Sequence, residues 1–451
     1  MEEPPTAAAP GEGAPPRPGL LDRSLRPFGD VRAGEAGTVL LMLVNIFVIL
    51  CGYYVCKTAR EPLIFAEGKA ELRAYASAGQ AVALMAFIPL YSWFASRVDR
   101  ARLVYGFILF FALNLELFWL GAKAGVPYLG IAFFIWVGIF NNAIVAQFWS
   151  YGNDIYRKDT GERLFPVIAI GQTLGSPVGA WLAGRLFKLG VAAPTMLHVT
   201  AALLLVSLAL FAVVETREGR RRAAGTTTRI EGGAGGFALL ARSHYLRLIA
   251  VLLLVLNLVN TTGEYILRSM LDEEAAARVA ADPTFGAEAF VGAFYADYYF
   301  WVNVGALVLQ SLVASRLVQL FGVAGVVMAL PLVALGAYGA VVAGATFAAV
   351  RWAKTAENAT DYSIMNTARN MLWLPTRREE KYKAKQAADT FVVRAGDVLS
   401  AGLVFAGTEW LRLGRFGFAT GNILVVGLWL AVAVMLVREY RRLGERKAAA
   451  A

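Results

Sequence analysis

Apolar residues follow one another along most of this sequence in runs about 20 residues long, and polar residues fill the short stretches between them. A helix needs roughly 20 apolar residues to cross the hydrocarbon of a bilayer. The pattern therefore predicts an all-α polytopic membrane protein with twelve transmembrane helices. The predicted spans are residues 37–56, 75–95, 103–121, 126–150, 164–186, 194–215, 245–267, 292–314, 323–343, 345–372, 388–408 and 417–437.

Three hydrophilic segments divide the chain. Residues 1–36 are rich in Pro, Ala, Gly and charge, and we expect them to form a disordered cytoplasmic tail. Residues 217–244 form a basic linker, and residues 438–451 form a basic tail. Six predicted helices precede the linker and six follow it, which predicts two six-helix bundles, at residues 37–216 and 245–437.

A short internal repeat supports this division. Ala95-Ser96-Arg97 ends the second span, and Ala314-Ser315-Arg316 ends the eighth. With the six-plus-six count, the repeat predicts two parallel six-helix repeats, which is the major facilitator architecture. In that architecture the substrate site lies near the bilayer midplane, between the two halves.

The composition agrees with a membrane protein. Of the 451 residues, 58% are hydrophobic and 17% are charged, and the mean hydropathy is +0.54. Because a soluble domain is about one quarter charged, these residues could not coat two or three soluble domains. A soluble enzyme, a secreted disulfide scaffold and a nucleic-acid-binding domain are thereby excluded as the main body.

The net charge of +10 is explained by topology. Most Lys and Arg residues fall in the tails and in alternate loops, which by the positive-inside rule places both termini in the cytoplasm. The remaining positive charge is suited to anionic lipid headgroups, and we expect no nucleic-acid partner. We expect a monomer in a bacterial inner membrane.

Cysteine and histidine are scarce. Cys51 and Cys56 both lie in the first span, and the two histidines are His198 and His244. These residues indicate neither a metal site nor a disulfide. A Walker-type glycine loop is also missing from the sequence, so we expect no enzyme activity and no cofactor.

Charged residues inside spans are the candidate functional residues, because each one costs free energy when it is placed in the hydrocarbon of a bilayer. Lys57, Arg60 and Glu61 share one helical face at the end of the first span. They would either extend to the outer interface or form a cationic wall on a central cavity for an anionic substrate.

A second charged stripe lies in span ten. Arg351, Lys354, Glu357 and Asp361 recur at three- and four-residue spacing. A lipid-facing helix could not tolerate this face, so the stripe must line water or another helix. Two roles stay open: ion pairs that neutralise each other, or contacts with a ligand. Two further polar residues extend the stripe, Asn358 and Arg369.

Glu264 is a carboxylate within the seventh span, just before Arg268. It is a candidate site for a coupling cation or a proton. The alternative is a salt bridge across the halves to a cation such as Lys57.

Two features suggest conformational roles. Asp99 and Arg100 lie in the tight turn between spans two and three, which resembles the major facilitator loop that forms a cytoplasmic latch. In span five, glycine recurs every fourth residue beside a proline, at Gly171, Gly175, Pro177 and Gly179. That spacing permits close helix packing, and it also resembles the glycine-proline motif of facilitator antiporters.

Longer stretches carry a more specific resemblance. They are Lys57-Thr-Ala-Arg60-Glu61-Pro-Leu63, Phe148-Trp149 with Asn153-Asp154-Ile155 and Arg163-Leu164-Phe165-Pro166, Ala359-Thr360-Asp361-Tyr362-Ser363-Ile364, and Glu379 to Asp389. Together they resemble the nucleotide transporter family, the ATP/ADP translocases of plastids and intracellular bacteria. The resemblance implies a carrier that exchanges ATP for ADP or moves a nucleotide with a cation.

The resemblance also implies roles for individual residues. Lys57 and Arg60 match the basic positions of the first span, and Glu264 matches a carboxylate of the seventh. On the shared motifs, Asn153 is a candidate for substrate binding and Asp154 for ion coupling. The sequence departs from the family pattern in span four, where Val137 replaces a glutamate, and in span ten, where Asn358 and Asp361 replace lysines.

Three hypotheses for function follow. The first is secondary active transport of an anionic metabolite, with a nucleotide as the best candidate. Substrate contacts would come from Lys57, Arg60, Lys354, Asn358, Asp361, Arg369 and Asn153, and coupling from Glu264, Glu357 and Asp154. The second is a proton-coupled carrier of another metabolite or a drug. The third is a membrane sensor or scaffold that uses a carrier fold without transporting.

Overall fold

The computed structural model describes residues 30–95, 97–98, 100–156, 158–218, 236–376, 380 and 384–450. Within these ranges the chain is almost entirely helical and contains no strand. The first half (the N-half) consists of α1 Ala36–Glu67, α2 Ala70–Ala95, α3 Arg100–Lys123, α4 Leu129–Ile155, α5 Lys158–Lys188 and α6 Met196–Glu218. The second half (the C-half) consists of α7 His244–Ala281, α8 Ala287–Val308, α9 Ala314–Val342, α10 Phe347–Thr360, α11 Val393–Phe405 and α12 Arg415–Ala450.

Several helices of the C-half pass through π-helical turns. Leu309–Val313 joins α8 to α9, and Asp361–Met365 continues α10 into the short helix Asn366–Leu372. The long α8–α9 stretch is broken at Gly322, which has φ +60° and ψ −150°. Only glycine adopts this conformation without strain. The break at Gly322 lies between the predicted spans 292–314 and 323–343.

Within the described residues, eight segments are long and apolar enough to cross a bilayer. One of them covers both α8 and α9. Helices α5, α10 and α11 lie at three further predicted spans but do not meet the same test of length and hydropathy. The structure therefore confirms an all-α, multi-pass membrane fold, and the count of twelve spans stays a prediction, as do the bundle boundaries and the side on which the termini lie.

Three helices extend well beyond their predicted ends. Helix α1 continues to Glu67 instead of residue 56, α2 begins at Ala70 instead of residue 75, and α7 continues to Ala281 instead of residue 267. The sequence prediction ended these spans where charges begin. In the structure the helices continue through these charges. Glu61, Arg73 and Arg268 pair inside the protein, while Lys57 packs on tyrosine rings.

The glycines of α5 pack against α1. The nearest atom to a Cβ built on each glycine is a carbonyl oxygen of α1: Leu43 O at 2.1 Å from Gly171, Phe47 O at 2.5 Å from Gly175 and Cys51 O at 2.3 Å from Gly179. Pro177 is buried in the same helix. Close packing of α5 on α1 therefore requires glycine at these positions. The other proposed conformational element, the latch, depends on Asp99 and the Arg100 side chain, which lie outside the described residues, as do linker residues 219–235.

The two halves meet where α1 packs on α8, α2 on α11 and α5 on α8. Several of these contacts lie near the connections 67–70, 188–193, 281–287 and 410–415. The rings of Tyr75 and Phe405 are 6.3 Å apart there, and a Cβ on Gly292 would lie 2.4 Å from the ring of Phe187. We call this end of the molecule the closed end.

Candidate functional site

A polar cavity lies between the halves, on the inner side of the closed end. It contains about 640 Å³ of empty space, part of it open to solvent. The N-half contributes residues of α1, α2 and α4, and the C-half contributes α7, α8, α10 and the π turn after it. The lining residues are Lys57, Arg60, Arg73, Ser77, Gln80, Phe134, Asn260, Thr261, Glu264, Tyr299, Asn358 and Tyr362.

Lys57 lines this cavity, which is one of the two positions left open by the sequence. Its amine lies 4.2 Å from the ring centroid of Tyr299 and 5.1 Å from that of Tyr54. Tyr54 also donates a hydrogen bond to Asn303 Oδ1 at 3.1 Å, which joins α1 to α8. Aromatic faces attract a cation and leave its N–H groups free to meet an anion.

Glu61 is the centre of the charge network beside the cavity. Its side chain is completely buried and accepts hydrogen bonds from Arg60 at 2.6 Å, Arg73 at 3.0 Å and Tyr299 at 2.9 Å. Arg268 of the C-half approaches the same carboxylate at 3.8 Å. One carboxylate thus holds guanidinium groups from both halves together at the closed end. The sequence did not distinguish this role of Glu61 from a position at the outer membrane interface.

Arg73 was not singled out by the sequence analysis, because it lay two residues before the predicted start of the second span. The structure places it inside the protein, where it bridges two carboxylates. Its Nε donates to Glu61 at 3.0 Å, and its Nη2 lies 3.6 Å from Glu264 across the interface. The signal available in the sequence was a basic residue at the first turn of a helix that begins at Ala70.

Glu264 has different surroundings at its two oxygens. Oε1 accepts hydrogen bonds from Tyr298 at 3.0 Å and Asn358 at 2.8 Å. Oε2 has the ion pair with Arg73 and, among the described residues, no hydrogen bond. The expected salt bridge across the halves therefore exists, and its cation is Arg73 rather than Lys57.

Lys354 lies behind the cavity wall and is 3% exposed. Its amine donates to Glu357 at 2.9 Å and to Asn260 Oδ1 at 2.7 Å, and Tyr338 donates to Glu357 at 3.1 Å. Of the two roles left open for this stripe, the structure shows the internal ion pair at these two residues. Arg351 pairs with Asp297 of α8, in a contact that is partly exposed.

The remaining sequence candidates lie farther away. Asp361 pairs with Arg369 at 3.3 Å, while its neighbour Tyr362 is the residue that lines the cavity. Asn153 and Asp154 lie at the other end of α4 from Phe134, about 28 Å along the helix at 1.5 Å per residue. The structure does not bring either of these two residues into the cavity.

The other lining residues provide hydrogen-bonding groups and ring faces. The guanidinium of Arg60 lies 3.9 Å from the ring centroid of Phe134. Asn358 Oδ1 is buried and has no hydrogen-bond partner. Lysine and arginine donors beside amides and aromatic rings are suited to hold a small, partly planar anion, because ion pairing and stacking act together there.

No protein-family model and no curated protein matches the chain. Solved structures do match it. The nucleoside transporter NupG is similar at 14% identity and TM-score 0.65, over 89% of this chain and 98% of that one. A bacterial homologue of the iron transporter ferroportin in an inward-facing state matches at 14% identity and TM-score 0.63, over 89% and 98%. The POT family transporter PepTSo matches at 11% identity and TM-score 0.61, over 90% and 98%.

These neighbours are transporters of the major facilitator type, and each similarity covers nearly the whole chain. At such low identity they establish the fold alone. The chain therefore has the multi-pass fold of a major facilitator transporter, while the count of twelve spans, the bundle boundaries and the side of the termini stay predictions.

Proposed function

We propose that the protein is a secondary active transporter of a small anionic metabolite, with a nucleotide as the best candidate cargo. The observation that carries this proposal is the cavity between the halves with Lys57, Arg60 and Arg73 in its wall. The fold supports transport in general, and the cationic wall supports an anion as the cargo. The nucleotide comes from the sequence resemblance and from the ring faces of Phe134 and Tyr299. We propose that a monomer acts in a bacterial inner membrane, by nucleotide exchange or nucleotide–cation symport.

Alternating access would use the contacts at the closed end. The pairs Glu61–Arg268 and Arg73–Glu264 each join the N-half to the C-half. An anion that enters the cavity would compete with Glu264 for Arg73 and weaken the Arg73–Glu264 pair. The halves could then rock, separating the closed end while the opposite end closes.

Uptake into proteoliposomes tests this proposal. Vesicles preloaded with unlabelled ATP, ADP or AMP should accumulate the labelled nucleotide by counterflow, and Lys57→Gln should reduce the initial rate by at least about tenfold because the cavity loses an unopposed cation. Arg278→Gln is the matched control, because Arg278 is 48% exposed and pairs only at the surface with Glu274. If no anion is transported, or if both variants behave like wild type, the proposal is wrong.

A proton-coupled carrier of another metabolite is the second candidate, and Glu264 is the observation that favours it. Its Oε2 faces Arg73 without a hydrogen bond and is therefore the atom that could accept a proton. Protonation would weaken the Arg73 pair and release one contact between the halves. Uptake driven by an inward proton gradient and lost in Glu264→Gln, with nucleotides inactive, would select this candidate over the first.

A further inference from the structure

The positive charges around the cavity outnumber the negative charges by a small margin. The lining carries three cations, Lys57, Arg60 and Arg73, and one carboxylate, Glu264. Glu61, directly behind the wall, supplies a second carboxylate to both arginines. Three positive and two negative charges leave a surplus of one positive charge.

Neighbouring ionisable groups do not alter this sum. Arg268 approaches Glu61 at 3.8 Å but forms its shorter contact with Asp272, at 2.7 Å. Lys354 is likewise paired with Glu357 at 2.9 Å. Each pair is neutral as a unit. Glu71 accepts a hydrogen bond from Tyr265 at 3.2 Å and is not among the residues that line the cavity.

The surplus belongs to Lys57. In the part of the chain that the structure describes, no carboxylate lies within 4.0 Å of its amine, and its close contacts are the rings of Tyr54 and Tyr299. Arg60 and Arg73, by contrast, are already held by Glu61 at 2.6 and 3.0 Å. A second negative charge on the cargo would have to displace a buried carboxylate from its arginine partners. Otherwise it would lie beside that carboxylate without a positive partner of its own.

From this we infer that the cavity selects its cargo by charge, and that a singly charged anion, bound at Lys57, is preferred over polyanions. The inference rests on the proposed function and narrows it. Among nucleotides it favours the forms with the fewest charges, and it disfavours a triphosphate. Glu264 and Glu61 would then act in specificity, because their carboxylates repel further negative charge on the cargo.

Two ligand ladders test this inference by thermal shift on the full chain in detergent. The first is adenosine, cyclic AMP, AMP, ADP and ATP, which keep one base while the charge increases in steps from zero. The second is benzoate, phthalate and trimesate, which keep one ring while carboxylates are added. In each ladder, the monoanion should stabilise the wild-type protein at a lower ligand concentration than any other member. Each additional negative charge on the ligand should weaken binding by about tenfold or more, because like charges in an interface are strongly disfavoured.

Two variants move the charge balance in opposite directions. Glu264→Gln raises the surplus by one and should shift the preferred ligand one step toward higher charge. Lys57→Gln lowers it by one and should shift the preference to the neutral adenosine. Glu409→Gln, at an exposed carboxylate outside the cavity, is the control and should leave both ladders unchanged.

The outcomes separate this inference from the proposed function. Binding that strengthens steadily from monoanion to polyanion in wild type overturns charge selection and leaves anion transport standing. A monoanion preference that neither variant shifts also overturns it, since the cavity charges would then not be its cause. If no anion in either ladder stabilises the protein, the proposed function fails, and the inference fails with it.

Discussion

Glutamine in place of Glu61 would remove the carboxylate that holds three guanidinium groups, and it would leave the shape of the side chain almost unchanged. The wild-type carboxylate is fully buried, with contacts of 2.6, 3.0 and 3.8 Å to Arg60, Arg73 and Arg268. Removing one member of a buried ion pair leaves the other charge uncompensated and costs about 3–5 kcal/mol. We expect Glu61→Gln to lower the free energy of unfolding by that amount. The loss should not be larger, although three arginines are affected, because Glu264 and Asp272 compensate part of the remaining positive charge.

Thermal unfolding or denaturant titration of the detergent-solubilised protein measures this loss. The control is Glu273→Gln, which also breaks an arginine–carboxylate pair, the one with Arg415 at 2.8 Å. Because Glu273 is 59% exposed, its pair should contribute no more than about 1 kcal/mol. The two variants make the same chemical change, so the expected difference comes from the burial of Glu61 and from its larger number of arginine partners.

A double variant separates charge from packing. In Glu61→Gln/Arg73→Met one of the stranded guanidinium groups is also removed, so the combined loss should be smaller than the sum of the single losses. If Glu61→Gln is no more destabilising than Glu273→Gln, or if the double variant is simply additive, Glu61 does not hold the network and the reasoning is refuted.

Two further predictions concern packing and pairing within each half. Gly175→Ala should destabilise the protein by about 1–3 kcal/mol through overpacking against α1, whereas Gly336→Ala, where a Cβ would meet no atom within 4 Å, should be nearly neutral or slightly stabilising; equal thermal shifts for the two would contradict the close contact. Lys354→Met should strand buried Glu357 and cost about 3–5 kcal/mol, while Lys354→Met/Glu357→Leu should regain most of the loss and retain transport. A double variant that is stable but has lost transport would show instead that this pair contacts the cargo.

The fold was largely predictable because the bilayer restricts the solutions. Long apolar runs in lipid must form helices, since every backbone polar group needs a partner within its own segment. The six-plus-six arrangement around a basic linker then predicted the major facilitator architecture. The structural neighbours confirm that fold, and the six-plus-six count stays a prediction. Helix ends were predicted less well, because a charged residue ends an apolar run in the sequence whether it faces water or a buried partner.

The candidate site was predictable only in part. Lys57, Arg60, Glu264 and Asn358 were expected from their position inside spans, and all four line the cavity. Arg73 was missed, because a charge near a predicted helix end is indistinguishable from one at the membrane surface.

The candidates of the tenth span show the same limit. Spacing on one helix identified the stripe of Arg351, Lys354 and Glu357 correctly, and it left open which side chains pair with which. The answer depends on what α7, α8 and α9 bring to that face. The structure supplies Asn260, Asp297 and Tyr338 there, from three different helices.

By itself, then, the sequence indicated that this chain crosses a membrane many times and is built of helices in two halves. It also indicated that some charged residues inside the spans have a structural or functional role. Hydropathy and one-helix periodicity are local properties, and they are readable along the chain. Only the tertiary structure decided that Glu61 binds arginines from both halves, that Arg73 bridges two carboxylates, and that Lys57 has no carboxylate partner among the described residues. Those facts depend on distances between side chains up to about 200 positions apart in sequence, which no local pattern encodes.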